Sequence, residues 1–213
     1  MTSIPTGWTI GSIGDVAEVI RGVTYSKSDT LNMGDSESVP LLRATNLEVN
    51  QIDFDDLVYI PAKVVKVKQY LKLDDILIAA SSGSISVVGK SAQVTRTMGA
   101  TFGAFCAVLR PFNVNPRYLR YWVQSPSVRD HWSATAKGTN INNLKPSDIM
   151  NTEIPLPPLE VQNRLVEKLE KYLSNLDAGT LVAQNLIAQS ATLRKTLLMA
   201  TFSGKLGSES DDV

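Results

Sequence analysis

PLPPLEVQNRLVEKLEKYLSNLDAGTLVAQNLIAQSATLRKTLLMATFSGKL, residues 155–206, is the stretch whose reading decides the fold. Proline lacks an N–H and restricts the residue before it. Pro155, Pro157 and Pro158 therefore enforce extended backbone, and Pro158 can then serve as a first helical residue. Glu160 follows in the first turn, where the helix dipole favours a carboxylate. No proline interrupts the rest, and Gly204 is the natural stop, since glycine accepts the left-handed conformation past a helix end. Residues 159–203 thus predict a rod of about 65 Å.

Apolar residues recur along that rod with a spacing of 3.5. Leu169, Leu176, Ala183, Ser190 and Leu197 occupy one heptad position. Leu165, Tyr172, Gly179, Leu186, Leu193 and Ala200 occupy the other, while Val166, Leu173 and Ile187 widen the stripe. The small residues among them let a partner helix approach closely. The helix-poor stretch 175–180 (NLDAGT) would either kink the rod or fold it into a hairpin against its own domain. Loop chemistry there is weak, which favours a continuous helix pairing in a coiled coil. An exposed apolar stripe demands a partner, so the chain is expected to work within an assembly.

The 213 residues suffice for one domain with a real core plus an appendage. No apolar run reaches the length of a membrane span, and the start, MTSIPTGWTI, lacks the regions of a signal peptide. The single cysteine, Cys106, lies in the apolar stretch FGAFCAVL and reads as a small buried hydrophobe. These features suit a cytoplasmic protein. Net charge is zero, but it is unevenly spread: residues 60–137 hold eleven basic side chains against three acidic, whereas residues 1–59 hold three against nine. Such a surplus can neutralise phosphates, or it can balance in three dimensions; both readings stand at this point.

The globular part reads as α+β. IGDVAEVI (13–20) resembles a short helix. VPLLRATNL (39–47), LVYI (57–60), ILIAAS (76–81) and ATFGAFCAVLRP (100–111) predict strands, and SISVVGKSAQV (84–94) completes a hairpin with ILIAAS. Asn115-Pro116 and Pro126 open two helices that turn Leu119, Trp122 and Val123, then Val128 and Trp132, inward.

Catalytic chemistry is hard to place. A phosphate-binding P-loop needs four residues between its glycines, and Gly83 to Gly89 encloses five. One histidine and one cysteine cannot build an ordinary zinc site. No serine elbow or adenine-methyltransferase tetrad appears, so neither a catalytic nor a metal site is assigned. Side chains able to read base edges gather in four places. These are Arg21, Tyr25 and Lys27; Arg43, Thr45 and Asn46; Ser81, Ser82, Ser84 and Lys90; and Lys137, Thr139, Asn140, Asn142 and Asn143. Taken singly, each is as compatible with an ordinary polar turn.

Taken together, GWTIGSIGDVAEVIRG, LLRATNL, LDDILIAASSGSISVVGKSA, FGAFCAVLRP, NPRYLRYWVQS, KGTNINNLKPSDIMNTEIPLPPLEVQNRLVEKLE and ATFSGKL resemble the DNA-specificity (S) subunit of type I restriction–modification systems over nearly the whole chain. One departure is Val161 between Glu160 and Gln162, where such subunits often place Glu and Gln side by side. The resemblance implies a target-recognition domain over residues 1–154 with a central β-sheet, a long helix over 155–206 that forms an antiparallel coiled coil, and a tail over 207–213. Complete subunits of that kind carry two such domains and two helices, so this chain would be a half-sized subunit or a fragment.

The implied partners are double-stranded DNA, methyltransferase (M) subunits, a restriction (R) subunit, and a second copy or another S half met through the helix. Leu165, Leu169, Tyr172, Leu176, Ala183, Leu186, Leu193 and Leu197 would form the helix interface. The chain would be non-catalytic and bind no cofactor; S-adenosylmethionine, ATP and magnesium would belong to the partner subunits. The competing reading is a protein–protein adaptor that uses the same helix and has no business with DNA.

Overall fold

The computed structural model describes residues 4–48, 50–138 and 141–203. In chain order the elements are β1 (Thr9–Ser12), β2 (Ala17–Arg21), β3 (Ser38–Leu42), β4 (Val58–Pro61), β5 (Ile76–Ala79), β6 (Ser81–Ser82), β7 (Ser91–Gln93), β8 (Thr101–Phe102), β9 (Cys106–Pro111), α1 (Pro116–Gln124), α2 (Pro126–Thr135), β10 (Asn142–Asn143), α3 (Pro146–Met150), β11 (Glu153–Leu156) and α4 (Leu159–Phe202). The chain divides into two compact units, Met1–Leu165 and Val166–Val213, so β11 and the first turns of α4 belong to the first. Among the described residues no helix is long and apolar enough to cross a membrane.

The first unit is built on an antiparallel sheet of order β2-β9-β5-β7. Alternate side chains of a strand point to opposite faces, and here both faces are covered. Ile76 and Ile78 of β5, with Leu109 of β9, pack on Leu119, Val123, Val128, Trp132 and Ile149 from the helices. Leu77 of β5 and Val108 of β9 face the other way, against Leu42, Leu47, Leu71 and Phe102. All four residues of β5 are consequently buried, and the continuous apolar run ILIA is the sequence trace of that double burial. A second sheet, β4-β3-β8, closes the far side, with β3 antiparallel to β4 and parallel to β8.

The helices start as their caps dictate. Asn115 Oδ1 accepts from the N–H groups of Arg117 and Tyr118 at 2.8 and 3.1 Å, and Ser125 caps α2. Trp132 is fully buried, and its ring N–H donates to Thr152 Oγ1 at 2.7 Å. A buried indole needs such a partner. Gln162 ties the first turn of α4 to the same body: its Oε1 accepts from the Asn115 N–H, and its Nε2 donates to Pro157 O, both at 2.9 Å.

The structure corrects several expectations, among them VPLLRATNL, whose strand ends at Leu42 before a 3-10 turn over Ala44–Asn46. IGDVAEVI is a single 3-10 turn, Ile13–Asp15, followed by strand β2. The β-branched Val16, Val19 and Ile20 disfavour a helix, and β2 finds ladder partners in β9. ATFGAFCAVLRP is two strands in different sheets, parted by a turn over residues 103–106. The second arm of the β5 hairpin is a strand only at β7, whose Gln93 pairs with Ile76.

The long helix is unbroken through residues 175–180, so the hairpin alternative is not the one adopted. Thr180 Oγ1 donates to Leu176 O at 2.9 Å, satisfying its hydroxyl within the helix. The stripe residues Leu165, Leu169, Tyr172, Leu176, Ala183, Leu186, Leu193 and Leu197 are all exposed, Leu176 at 65%. The expected stop at Gly204 and the tail over 207–213 lie outside the described residues.

One ion pair lies largely buried in the first unit. Asp75 is fully buried, and Arg110 grips it with Nε to Oδ1 at 2.9 Å and Nη2 to Oδ2 at 2.8 Å. The same guanidinium donates to the carbonyls of Lys68 and Tyr70. Removing one partner of a buried pair strands the other charge, which costs about 3–5 kcal/mol. Arg110→Ala is expected to lower unfolding free energy by about that amount in a urea titration; a loss under about 1 kcal/mol would show the pair to be incidental.

Candidate nucleic-acid interface

The register of the main sheet decides where its loops meet. Arg21 lies opposite Ala107, and Ala79 lies opposite Cys106. The exit of β2, the exit of β5 and the entry of β9 therefore share one end of the sheet. Gly22 permits this convergence, because a Cβ there would collide with the carbonyl of Gly103. Val23 N–H donates to Phe102 O at 2.7 Å and so holds the loop after β2 against the turn over residues 103–106.

At that end the chain leaves a cleft of about 630 Å³. Tyr25, Lys27, Arg43, Thr45, Ser81 and Ser82 line it, so three of the four predicted patches converge on one concavity. Val23, Gly103, Ala104, Phe105, Cys106 and Ile141 complete much of the wall. A second cleft of about 320 Å³ shares Ser81, Ala104 and Cys106 with the first and adds Arg21, Asn143 and Lys145. No aspartate or glutamate lines either cleft among the described residues.

The loops that present these side chains are held by local hydrogen bonds. Asp29 Oδ2 accepts from the N–H and hydroxyl of Ser26 at 3.0 and 2.9 Å, closing the turn that carries Lys27. That bonding, from the Ser26 backbone first, holds the Asp29 carboxyl below its ordinary pKa. Arg43 Nη2 donates to Asp56 O and Oδ2 at 2.7 and 2.8 Å, which fixes the guanidinium beside the cleft and offsets part of its charge.

Several predicted side chains have other work. Asn46 is 3% exposed; its Oδ1 accepts from the Arg43 N–H and its Nδ2 donates to Asp55 O, both at 2.9 Å. It shapes the loop that presents Arg43 and Thr45 and offers nothing outward. Asn142 Nδ2 donates to the carbonyls of Ser82 and Gly83 at 3.2 Å, and Asn143 Oδ1 accepts from Ser81 Oγ, so both amides fasten β10 to β6. Ser84 bonds Ser86 at 2.9 Å and Lys90 stands 3.9 Å from Glu48, neither on a cleft. Lys137 is exposed and lines neither cleft. Thr139 and Asn140 lie outside the described residues.

The charge surplus of residues 60–137 does not line the clefts. None of its eleven cations lines either cleft. Arg110 grips Asp75, Lys68 pairs with Glu18 at 3.3 Å, and Arg96 lies 5.0 Å from the Phe54 ring. The cations on the clefts, Arg21, Lys27, Arg43 and Lys145, come from the two flanking thirds.

Sequence reasoning missed Phe105, Ile141 and Lys145. A glycine inside a strand pattern signals a bulge or close backbone approach, so Gly103 held a clue that ATFGAFCAVLRP turns and exposes Phe105. Ile141 was an apolar residue inside an amide-rich loop, an anomaly of the same kind. The arrangement offers hydroxyls, cations and exposed apolar groups, with no carboxylate among the described lining residues, a set suited to an anionic polymer whose edges carry mixed chemistry.

Comparison with known proteins adds a second line. The family model described as the type I restriction modification DNA specificity domain matches residues 5–183. The StySPI specificity subunit of Salmonella potsdam is 37% identical over 204 residues, covering 95% of this chain and 44% of its own length. The EcoKI specificity subunit of Escherichia coli K12 matches with the same identity and coverage. Among solved structures, a chain of a type I restriction–modification system superposes with a TM-score of 0.74 at 20% identity, over 94% of this chain and 47% of that one. The HsdS subunit of Thermoanaerobacter tengcongensis gives 0.64 at 22% identity, over 83% and 40%. These two show the shared fold. This chain spans under half the length of the relatives it matches.

Cys106, at the floor of both clefts, is 1% exposed, and burial pushes its thiol up to about 12. The fold accommodates the neutral thiol, so its contribution to stability is intact below the ordinary value of 9.0 and is lost as pH climbs toward about 12. A thiol reagent at pH 8 is expected to leave the native chain unlabelled and to titrate one thiol per chain in denaturant. Fast labelling of the native protein would mean that the floor is open.

Proposed function

The chain belongs to the type I restriction–modification DNA specificity family, and we propose that it reads one half of a split DNA target through the cleft at the end of its main sheet. The observation that carries this reading is the convergence of Tyr25, Lys27, Arg43, Thr45, Ser81 and Ser82 from separate segments onto one concavity. Arg21, Lys27 and Lys145 suit phosphate contact, which supplies affinity and register. Thr45, Ser82 and the Tyr25 hydroxyl suit base edges. The adaptor reading would leave that convergence unexplained.

The helix completes the function. Its exposed seam of Leu165, Leu169, Tyr172, Leu176, Ala183, Leu186, Leu193 and Leu197 would pair antiparallel with a second such helix, from another copy of this chain or from another S half. A rigid helical spacer converts length into a fixed count of base pairs between two half-sites. Methyltransferase subunits would dock on this assembly and bring S-adenosylmethionine; a restriction subunit would bring ATP and magnesium. Chemistry on DNA would reside in those subunits, and the chain itself would recognise and position, in the cytoplasm where the DNA lies.

Two measurements test this. Lys27→Ala and Lys145→Ala are each expected to make the plot of log affinity against log salt shallower by about 0.9, with the preferred sequence unchanged. A slope equal to that of the parent would remove the residue from the phosphate contacts. Leu176→Glu combined with Leu186→Glu is expected to shift the assembled species to monomer in sedimentation, while the first unit keeps its thermal transition. Persistence of the same oligomer would exclude the seam.

A further inference from the structure

Two large apolar side chains are held open on the main cleft. The turn over residues 103–106 is closed by the Cys106 N–H donating to Gly103 O at 2.8 Å. Gly103 and Cys106 are buried, and the tip residues Ala104 and Phe105 are exposed. The Phe105 carbonyl accepts from the N–H groups of both Ala80 and Ser81 at 2.9 Å, so its backbone is pinned to the strand beside it. The residue is nevertheless 63% exposed. Ile141, 52% exposed, directly precedes β10, which Asn142 and Asn143 fasten to β6.

A lone exposed apolar residue is ordinary. Here two large ones, with Ala104 between the buried flanks of its turn, line one concavity, and the Phe105 backbone is held by hydrogen bonds. An apolar surface kept open on a fixed frame points to a ligand. The cations on the two clefts and the lack of carboxylates among their described lining residues make that ligand polyanionic. Where a duplex presents its base edges in the major groove, its apolar feature is the 5-methyl group of thymine.

We propose that Phe105 is a specificity-determining residue that reads thymine in the half-site through its 5-methyl group, with Ile141 as the second apolar wall. This rests on the DNA-reading function above and adds a base identity to it. The hydroxyls and cations of the same cleft distinguish donors and acceptors, which leaves a methyl group to the apolar surface there, of which Phe105 and Ile141 are the large exposed members. The anchored carbonyl matters as well: a side chain whose backbone is fixed loses little freedom on contact, so a small apolar gain is not cancelled by ordering.

The test begins with selection of duplexes from a random pool by the purified chain, followed by replacement of each thymine of the recovered half-site with deoxyuridine, which deletes only the methyl. At one thymine position or more, the replacement is expected to weaken binding about fourfold, the worth of one buried methyl group. Phe105→Ala is expected to bind the thymine and uracil duplexes equally at that position, and Phe105→Leu to keep part of the difference. Ile141→Ala, remote in sequence, should narrow the same difference. Thermal transitions matching the parent would confirm folding of each variant.

Sequence selection that persists with no deoxyuridine effect overturns the inference and leaves DNA reading intact. So does a difference that survives Phe105→Ala, or a methyl response seen with 5-methylcytosine alone. A pool that yields no preferred sequence would overturn DNA reading itself.

Discussion

The double burial of β5 and β9 is the constraint from which the rest of the first unit follows. A strand covered on both faces cannot slip by one residue without exchanging its two apolar sets. Ile76 and Ile78 would leave the helices, and Leu77 would leave Phe102 and Leu42. The pairing of Ala79 with Cys106 and of Arg21 with Ala107 is thereby held, and with it the meeting place of three loops. The cleft is a geometric consequence of packing on the opposite sides of two strands. Val23 and Cys106 at its base belong to the core, whereas exposed lining residues such as Lys27, Thr45 and Phe105 do not, which leaves those free to vary in chemistry while the frame stays put.

Much of this was legible because it is local. The apolar run ILIA, the Asn115 cap, Pro126 and the heptads of α4 announce their elements from adjacent residues. Three of the four polar patches also proved to share one cleft. What was not legible depends on distant partners. Residues 17–21 become a strand because β9 offers a ladder. Residues 100–111 change sheet at Gly103 because Gly22 crosses there.

Polar residues were the hardest to interpret, for a physical reason. An asparagine amide satisfies a backbone carbonyl or N–H as well as it does a base edge. Asn46 and Asn142 do the former, and the Asn143 amide oxygen accepts from the Ser81 hydroxyl, so all three build the frame of the cleft. Arginine shows the same ambiguity: Arg110 counted toward a phosphate-binding surplus and is the inner lock of Asp75. The exposed Phe105 and Ile141, hidden inside apolar and amide-rich runs, mark the cleft more sharply than the summed charge does.

Photocrosslinking to a bound duplex tests the placement of the reader most directly. A half-site carrying 5-iododeoxyuridine, irradiated with the chain and mapped by mass spectrometry, should label the segments 21–27, 43–45, 81–83 and 103–106, most of whose residues line the two clefts. Adducts concentrated instead on the cations of residues 63–72 or 117–120, away from both clefts, would contradict the assignment of the sheet end as the DNA-reading surface.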